Sequence, residues 1–565
     1  MDQVIKQILL TFLLINLLQW SIGAPFSDEP IVELNHGGLV QGSVRHSNLS
    51  FITYYSFKGI PYAEPPVGDL RLRGTLPHKG WNGIRDASKH GEVCLQLARD
   101  GSNAVLGSED CLTLAVYTPK VVNEPKYAVM VYINGGGFLY GNGNEEDLNP
   151  DLLVAEEIVV VKINYRVGFL GFLSTNDKNI PGNYGLKDVL EALRWIQANI
   201  KRFGGDPSRV TLFGNSSGGM MVHILTLSSL SKGLIHRAIP QSGIAFAYSG
   251  IQRNARNRTF QMMNLMNITF DTTEDLIVKL RKIEDPSIFV LPTPDTMDPM
   301  DFPKMKGEVF YAPVIEPKDS KEPQVLTDEP ENIIRNGKAL DIPQIISITS
   351  EEVLSSALEY EYFPGLSDLF EQHPENFFPL GWKMQPNSTE ATEFMERIRN
   401  LYFDGKQIED VYDYIHFASD LCFNYPAYKT ARIHVESQSN PIYFSVFGFY
   451  GDLSSYKKKN NLDKYEGVCH ADELPYLFPS PKFPEVTPDN LAFKVRARTV
   501  RLWANFAKTG NPTPKFDELV KVAWPRMMKN YYYFAEHNED MYIKMNPFGQ
   551  RLVEWWDMDH KFNYI

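Results

Sequence analysis

Between Arg209 and Met220 the chain reads Arg-Val-Thr-Leu-Phe-Gly-Asn-Ser-Ser-Gly-Gly-Met. A short apolar strand runs into Gly214-Asn215-Ser216-Ser217-Gly218, and a helix-like stretch continues from Met220 to Leu230. Few backbones accommodate that passage. A serine at so tight a strand-to-helix turn is held in strained backbone, and its neighbours have no room for side chains, so 214 and 218 must be glycine. The following helix aims its first N–H groups at the place where negative charge would develop on a reacting group. Taken alone, G-x-S-x-G also fits a plain turn in a glycine-rich loop, so partners must be sought elsewhere in the chain.

The surrounding pattern supplies a frame. Strands are expected at 110–117, 127–133, 158–164, 234–240, 344–348 and 442–450. Those at 127–133 and 158–164 are continuous apolar runs, the pattern of central strands covered on both faces. Leu186, Val189, Leu190, Leu193 and Ile196 fall at helical spacing and predict a helix over about 185–200. Alternating strands and helices with the serine turn between them predict an α/β fold with a mostly parallel sheet. Residues 250–340 are rich in Pro and Asp with short helical patches such as Thr273–Arg281, and read as an excursion covering a site. Helical material follows at 391–402, 411–417 and 490–508. Two short strands around Tyr531 and Tyr542 precede a closing helix near Val553.

Length alone, 565 residues, would allow three or four domains. The net charge of −13, with no basic tract longer than Lys457-Lys458-Lys459, argues against nucleic acid or an anionic membrane surface as partner. Lys6, the apolar run Ile8–Leu18 and the small residues Ser21 and Gly23 predict a cleaved export signal over 1–23. That run is too short to be a comfortable membrane anchor. The four cysteines, Cys94, Cys111, Cys422 and Cys469, show no paired metal-ligand spacing, so no metal or cofactor is expected. Cys94 and Cys111 would close a loop of about 17 residues, worth roughly 3 kcal/mol by chain entropy. Cys422 and Cys469 could form a bridge or remain thiols. N-x-[ST] sequons lie at Asn48, Asn215, Asn257, Asn267 and Asn387. The one at Asn215 sits in the serine turn and is expected to stay unmodified.

A serine hydroxyl reacts only if a base takes its proton and an acid orients that base. His470 lies in Gly467-Val-Cys-His-Ala-Asp-Glu-Leu-Pro-Tyr-Leu-Phe478, after the alternating strand, where a sheet's C-terminal edge would place it. By spacing alone, a solvated loop histidine near Asp472 and Glu473 is the better reading. His223, seven residues past the serine, is expected to pack. Either Glu351 or Glu352 could be the acid.

Nearly the whole mature chain resembles the cholinesterase/carboxylesterase family of type-B carboxylesterases, most of all secreted insect esterases. The resemblance rests on Phe57-Lys-Gly-Ile-Pro-Tyr-Ala, Ser108-Glu-Asp-Cys-Leu, Asn134-Gly-Gly-Gly-Phe138 and Asn164-Tyr-Arg-Val-Gly-Phe-Leu-Gly-Phe. It continues through Gly182-Asn-Tyr-Gly-Leu-Lys-Asp188, Phe203-Gly-Gly-Asp-Pro207, the serine turn, Gln241-Ser-Gly243, Gly467-Val-Cys-His and Trp503-Ala-Asn-Phe-Ala-Lys-Thr-Gly-Asn-Pro512. It implies an α/β-hydrolase fold with covering insertions, one catalytic domain over 24–565, and hydrolysis of small-molecule esters by a Ser-His-Glu triad. Ser216 would be the nucleophile, His470 the base and Glu352 the acid. Backbone N–H groups of Gly136, Gly137 and Ser217 would form the oxyanion hole. It also implies a Cys94–Cys111 disulfide and support of the acid by Ser242. Asn48, Asn257, Asn267 and Asn387 remain glycosylation candidates.

Asn134 stands where the family commonly has histidine, Asn215 where glutamate, glutamine or histidine is usual, and Ser217 where alanine is usual. None removes a reacting group. A catalytically weak or silent binding protein on the same fold is the alternative reading. The family's choline site uses a tryptophan in the first disulfide loop, and between Cys94 and Cys111 there is no aromatic residue. Poor selectivity for choline esters is therefore expected.

Overall fold

The computed structural model describes residues 29–563, apart from 100–101, 103, 147, 248, 291–310, 356–364, 380–381 and 383. The expected export signal, 1–23, lies outside the described residues.

The continuous apolar runs become strands of one large sheet. In chain order these are β1 (Ser43–His46), β2 (Thr53–Pro61), β3 (Thr113–Thr118), β4 (Tyr127–Ile133), β5 (Ile158–Ile163) and β6 (Gly205–Asn215). They continue as β7 (Arg237–Gln241), β8 (Gln344–Thr349), β9 (Ile442–Phe447), β10 (Tyr533–His537) and β11 (Met541–Met545). Across the sheet the order is β11-β10-β9-β8-β7-β6-β4-β5-β3-β2-β1. The strands from β10 through β5 in that order pair in parallel, while β11, β3, β2 and β1 join antiparallel at the edges.

Alternation along β4 shows why a run with no polar residue is needed. Val129, Val131 and Ile133 pack on one face, with Leu186, Val189 and Leu193 of α1 (Tyr184–Asn199). Ala128, Met130 and Tyr132 pack on the other, with Leu502, Trp503 and Phe506 of the late helix Leu491–Thr509. A strand covered on both sides has no solvent-facing position to give to a polar residue. Beyond β8 a second cluster covers the sheet, built from Ile346, Phe444, Phe394, Phe417 and Trp555.

Several boundaries differ from the sequence reading: the strand expected at 110–117 is Thr113–Thr118, the one expected at 442–450 ends at Phe447, and two more differ for visible reasons. The helix after the serine, α2 (Ser217–Leu227), starts at once, because the Ser216 carbonyl already accepts the Met220 N–H at 2.9 Å. Strand β7 begins only at Arg237, since Leu234 N–H is still bonded to Ser231 in the preceding turn. The patch Thr273–Arg281 is a helix, α3, capped by the Thr272 side chain. The same excursion supplies Phe289, Val290 and Tyr311 to the wall of a cavity, as a covering segment should.

Cys94 and Cys111 are joined, whereas Cys422 and Cys469 are free thiols, each pushed up by burial. No helix among the described residues is long and apolar enough to cross a membrane.

Candidate active site

The serine turn sits at the C-terminal end of β6, where ligands of open α/β sheets gather. Ser216 has φ 60° and ψ −131°, a backbone state that costs a non-glycine residue about 1–3 kcal/mol. Neighbouring glycines make the turn possible. A Cβ at Gly214 would lie 2.5 Å from the Ile133 carbonyl oxygen, one at Gly218 2.2 Å from the same atom, and one at Gly243 1.9 Å from the Ser216 carbonyl oxygen. The Ser216 N–H is tied to the Gln241 carbonyl at 2.9 Å, fixing the turn to the end of β7.

The loop after β4 lies directly on this turn. A Cβ at Gly135 would come within 2.5 Å of the Asn215 carbonyl oxygen and 3.0 Å of Ser216 Cβ. Gly136 and Gly137 follow with φ of 129° and 60°, conformations that β-carbons disfavour. Asn134 is locked beneath them, its carbonyl accepting the Tyr165 hydroxyl at 2.7 Å and its side-chain N–H bonding the Gly135 carbonyl at 3.3 Å.

Glu352 follows β8, and His470 lies in the loop after β9. Their side chains meet: His470 Nδ1 is 2.7 Å from Glu352 Oε2. The other carboxylate oxygen accepts the Thr349 N–H at 2.8 Å, and the His470 N–H bonds the Glu352 carbonyl at 3.2 Å. Glu352 is buried, whereas Ser216 and His470 are partly exposed. Glu351 turns elsewhere, to His416 at 3.3 Å. Burial opposes charge on His470, but the hydrogen bond and charge of Glu352, with the charges of Glu473 and Asp472, outweigh it and raise the imidazole above its ordinary value. With Nδ1–H committed to Glu352, Nε2 is left as the basic nitrogen. No hydrogen bond of ordinary length joins it to the Ser216 hydroxyl among the described residues. Such contacts are commonly long before substrate binds and tighten in the complex.

Several residues depart from the sequence reading. His470 is not the solvated loop histidine that spacing alone suggests, and its neighbours Asp472 and Glu473 are 1% and 3% exposed. Ser242 does not reach the acid: its hydroxyl is buried with no partner among the described residues. His223 packs, as expected. Its Nδ1 accepts the Ala245 N–H at 3.1 Å, so its Nε2–H donates to His434 Nε2 at 3.2 Å. Sequence reasoning missed Phe423, whose ring lies 5.0 Å from that of His470, centroid to centroid. It sits in a π-helical turn, Asp420–Asn424, and no periodic signal marks such an insertion.

A cavity of about 220 Å³ opens beside the glycine loop, lined by Leu139 and Tyr140 immediately after it and by Leu95–Arg99 of the disulfide loop. Its rings, Tyr140, Phe169, Phe289 and Tyr311, all come from outside that loop. The loop contributes a cation instead: the Arg99 guanidinium carbon stands 4.0 Å from the Tyr140 ring centroid.

Asn48, Asn257, Asn267 and Asn387 are exposed, while Asn215 is buried. His90, Glu145 and Glu146 have donor atoms close enough to suggest a metal site. However, Lys58 already pairs with Glu145 at 2.8 Å and Arg45 at 3.3 Å, and His90 Nε2 accepts the Glu145 N–H. Glu145 Oε1 and His90 Nε2 are thus engaged by protein cations and backbone, while Glu145 Oε2 has no partner among the described residues.

Residues 28–555 match the carboxylesterase family. The chain is 34% identical to juvenile hormone esterase of Tribolium castaneum over 86% of this chain and 84% of that one. It is 32% identical to esterase FE4 of Myzus persicae, over 89% and 88%. Among solved structures it is similar to juvenile hormone esterase from Manduca sexta with OTFP covalently attached. That match has a TM-score of 0.82 and 27% identity, covering 94% of this chain and 100% of that one. The chain belongs to the carboxylesterase family and is a carboxylic ester hydrolase.

Proposed function

We propose that hydrolysis proceeds through an acyl-enzyme on Ser216 and that the substrates are small to medium neutral, apolar esters. Ser216 Oγ attacks the ester carbonyl as His470 Nε2 takes its proton. The charge that develops on the carbonyl oxygen is met by the N–H groups of Gly136, Gly137 and Ser217, the last at the N-terminus of α2. Removing one such donor typically costs about 3–4 kcal/mol of transition-state stabilisation. The imidazolium, held by Glu352, protonates the departing alkoxide, and water then resolves the acyl-enzyme by the same steps in reverse.

The observation carrying this reading is the 2.7 Å contact between His470 and a buried Glu352, beside a strained serine backed by two left-handed glycines. The covalently attached OTFP of the Manduca sexta relative fits a covalent route.

The cavity supports the substrate class. Its wall is mainly apolar, and Arg99 already covers the Tyr140 face that a quaternary ammonium would seek. Residues 1–23 are proposed to direct export, leaving 24–565 as one catalytic domain with glycans at the four exposed sequons.

Stopped-flow hydrolysis of a chromogenic neutral ester, followed by rates for a choline ester and its uncharged isostere, tests this. A burst near one equivalent, with the choline ester favoured less than tenfold, is expected. A linear trace at saturating enzyme and slow turnover, or a choline preference beyond tenfold, contradicts it.

A further inference from the structure

Three residues after His470 lies a carboxyl that the mechanism above leaves without a task. Glu473 is 3% exposed. Its Oε1 accepts the Asn215 side-chain N–H at 2.7 Å and that of Gln241 at 3.2 Å, while Oε2 is buried with no partner among the described residues. Asn215 immediately precedes the nucleophile, and Gln241 is the residue whose carbonyl anchors the Ser216 N–H. One carboxyl oxygen therefore joins three pieces of chain: the serine turn after β6, the end of β7 and the histidine loop after β9.

We propose that Glu473 is a positioning residue for ester hydrolysis: through Asn215 and Gln241 its carboxyl braces the Ser216 turn against the His470 loop and sets a second negative charge behind the imidazole. The proposal rests on the triad reading above.

The brace addresses a definite need. Ser216 and His470 lie 254 positions apart on separate loops, and a 1 Å error between reacting groups costs on the order of 100-fold in rate. Glu352 fixes the imidazole from one side, but its hydrogen bonds go to His470 and to Thr349, not to the serine turn. Asn215 supplies the missing link because its amide can donate to a carboxyl in either protonation state. A carboxylate at 215 would instead face Glu473 as a like charge.

The groups that bear on Glu473 come from every side. Glu352 stands after β8 and His470 and Asp472 on its own loop, with Tyr132 of β4 beneath. The Trp503 indole N–H, on the helix Leu491–Thr509, reaches Gln241 at 3.5 Å. Burial, then the charge of Glu352, pushes Glu473 up to about 7, against the pull of His470 and the Asn215 hydrogen bond. The second charge thus appears in the pH range where the base must lose its own proton, and it raises the basicity of His470.

The test compares Glu473→Gln, Glu473→Ala and Asn215→Ala with the parent. The readouts are kcat and KM on one neutral ester, the pH profile of kcat/KM from 5 to 9, and organophosphate labelling of Ser216. The amide oxygen that Glu473→Gln introduces can still accept both hydrogen bonds but carries no charge. This variant is expected to keep kcat near the parent's at its own optimum while the ascending limb moves acid-ward by roughly half a pH unit. Glu473→Ala and Asn215→Ala are expected to lose about tenfold in kcat with KM within twofold. Should Glu473→Ala fail to fold, the other two variants decide. A Glu473→Gln profile superimposable on the parent's, or Asn215→Ala with unchanged kcat, overturns the proposal. If the parent itself is not labelled at Ser216, it is the triad reading that fails.

Discussion

Glu352 and Glu351 are adjacent carboxylates with opposite destinations, one sealed against His470 and the other paired with His416. The difference in role should be large. Glu352→Gln is expected to lower kcat about 10³–10⁴-fold, because an amide cannot hold the imidazole in the reactive tautomer or balance the imidazolium. Glu351→Gln should stay within about threefold. Steady-state kinetics on one neutral ester measures both, and comparable losses would contradict the assignment of the acid. Sequence composition could not separate the pair, because one residue of register decides which side chain faces the imidazole. The nucleophile was more legible: strain at Ser216 demands glycine at fixed offsets, and glycine leaves a readable trace. Phe423 and Glu473 left none, and Asn215 showed only as a departure from the family pattern, since such side chains acquire their roles from what folds against them.

At the scale of elements, the entry to α1 depends on a buried ion pair. Arg166 donates to both oxygens of Asp188 at 2.7 and 2.8 Å, and its backbone N–H adds a third bond at 3.0 Å. The two side chains are 3% and 0% exposed. Replacing Asp188 with Asn leaves a guanidinium in the interior without its counter-charge, and is expected to cost about 3–5 kcal/mol. Chemical denaturation with the parent alongside measures this. A loss below about 1 kcal/mol would show that the pair is not what anchors the helix. Long periodic elements were the most legible in the sequence: α3 has the bounds read for it, and the helix at 491–509 lies within a residue of its expected span. One-sided burial explains this, since it sets buried apolar residues at helical spacing among exposed polar ones. The start of β7 was misread because an apolar turn and an apolar strand look alike until a partner strand is known.

For the molecule as a whole, acid stability is set by buried histidines and carboxyls that pull in opposite senses. His434 donates from Nδ1 to Gln438 and accepts from His223, and burial drives it down to about 4. Between about 4 and 6.5 the unfolded chain takes up a proton there that the folded protein refuses. The stability it contributes is thus full above 6.5 and lost as pH falls, roughly 3 kcal/mol by pH 4. Asp472 and Glu473, raised by burial to about 6 and 7, act in reverse, binding protons in the fold before the unfolded chain does. A variant comparison isolates the histidine. The parent's advantage in Tm over His434→Gln should be largest at pH 7 and shrink steadily towards pH 4.5. A constant difference would mean the pair does not titrate with folding.

Every role assigned above depends on Ser216 carrying the acyl group. Intact-mass and peptide mapping after inhibition by an organophosphate examines that directly. The account predicts one adduct per chain, on Ser216, with activity lost in proportion to labelling and neither adduct nor hydrolysis in Ser216→Ala. Hydrolysis that survives in Ser216→Ala, or full inhibition with the adduct on another residue, would contradict it.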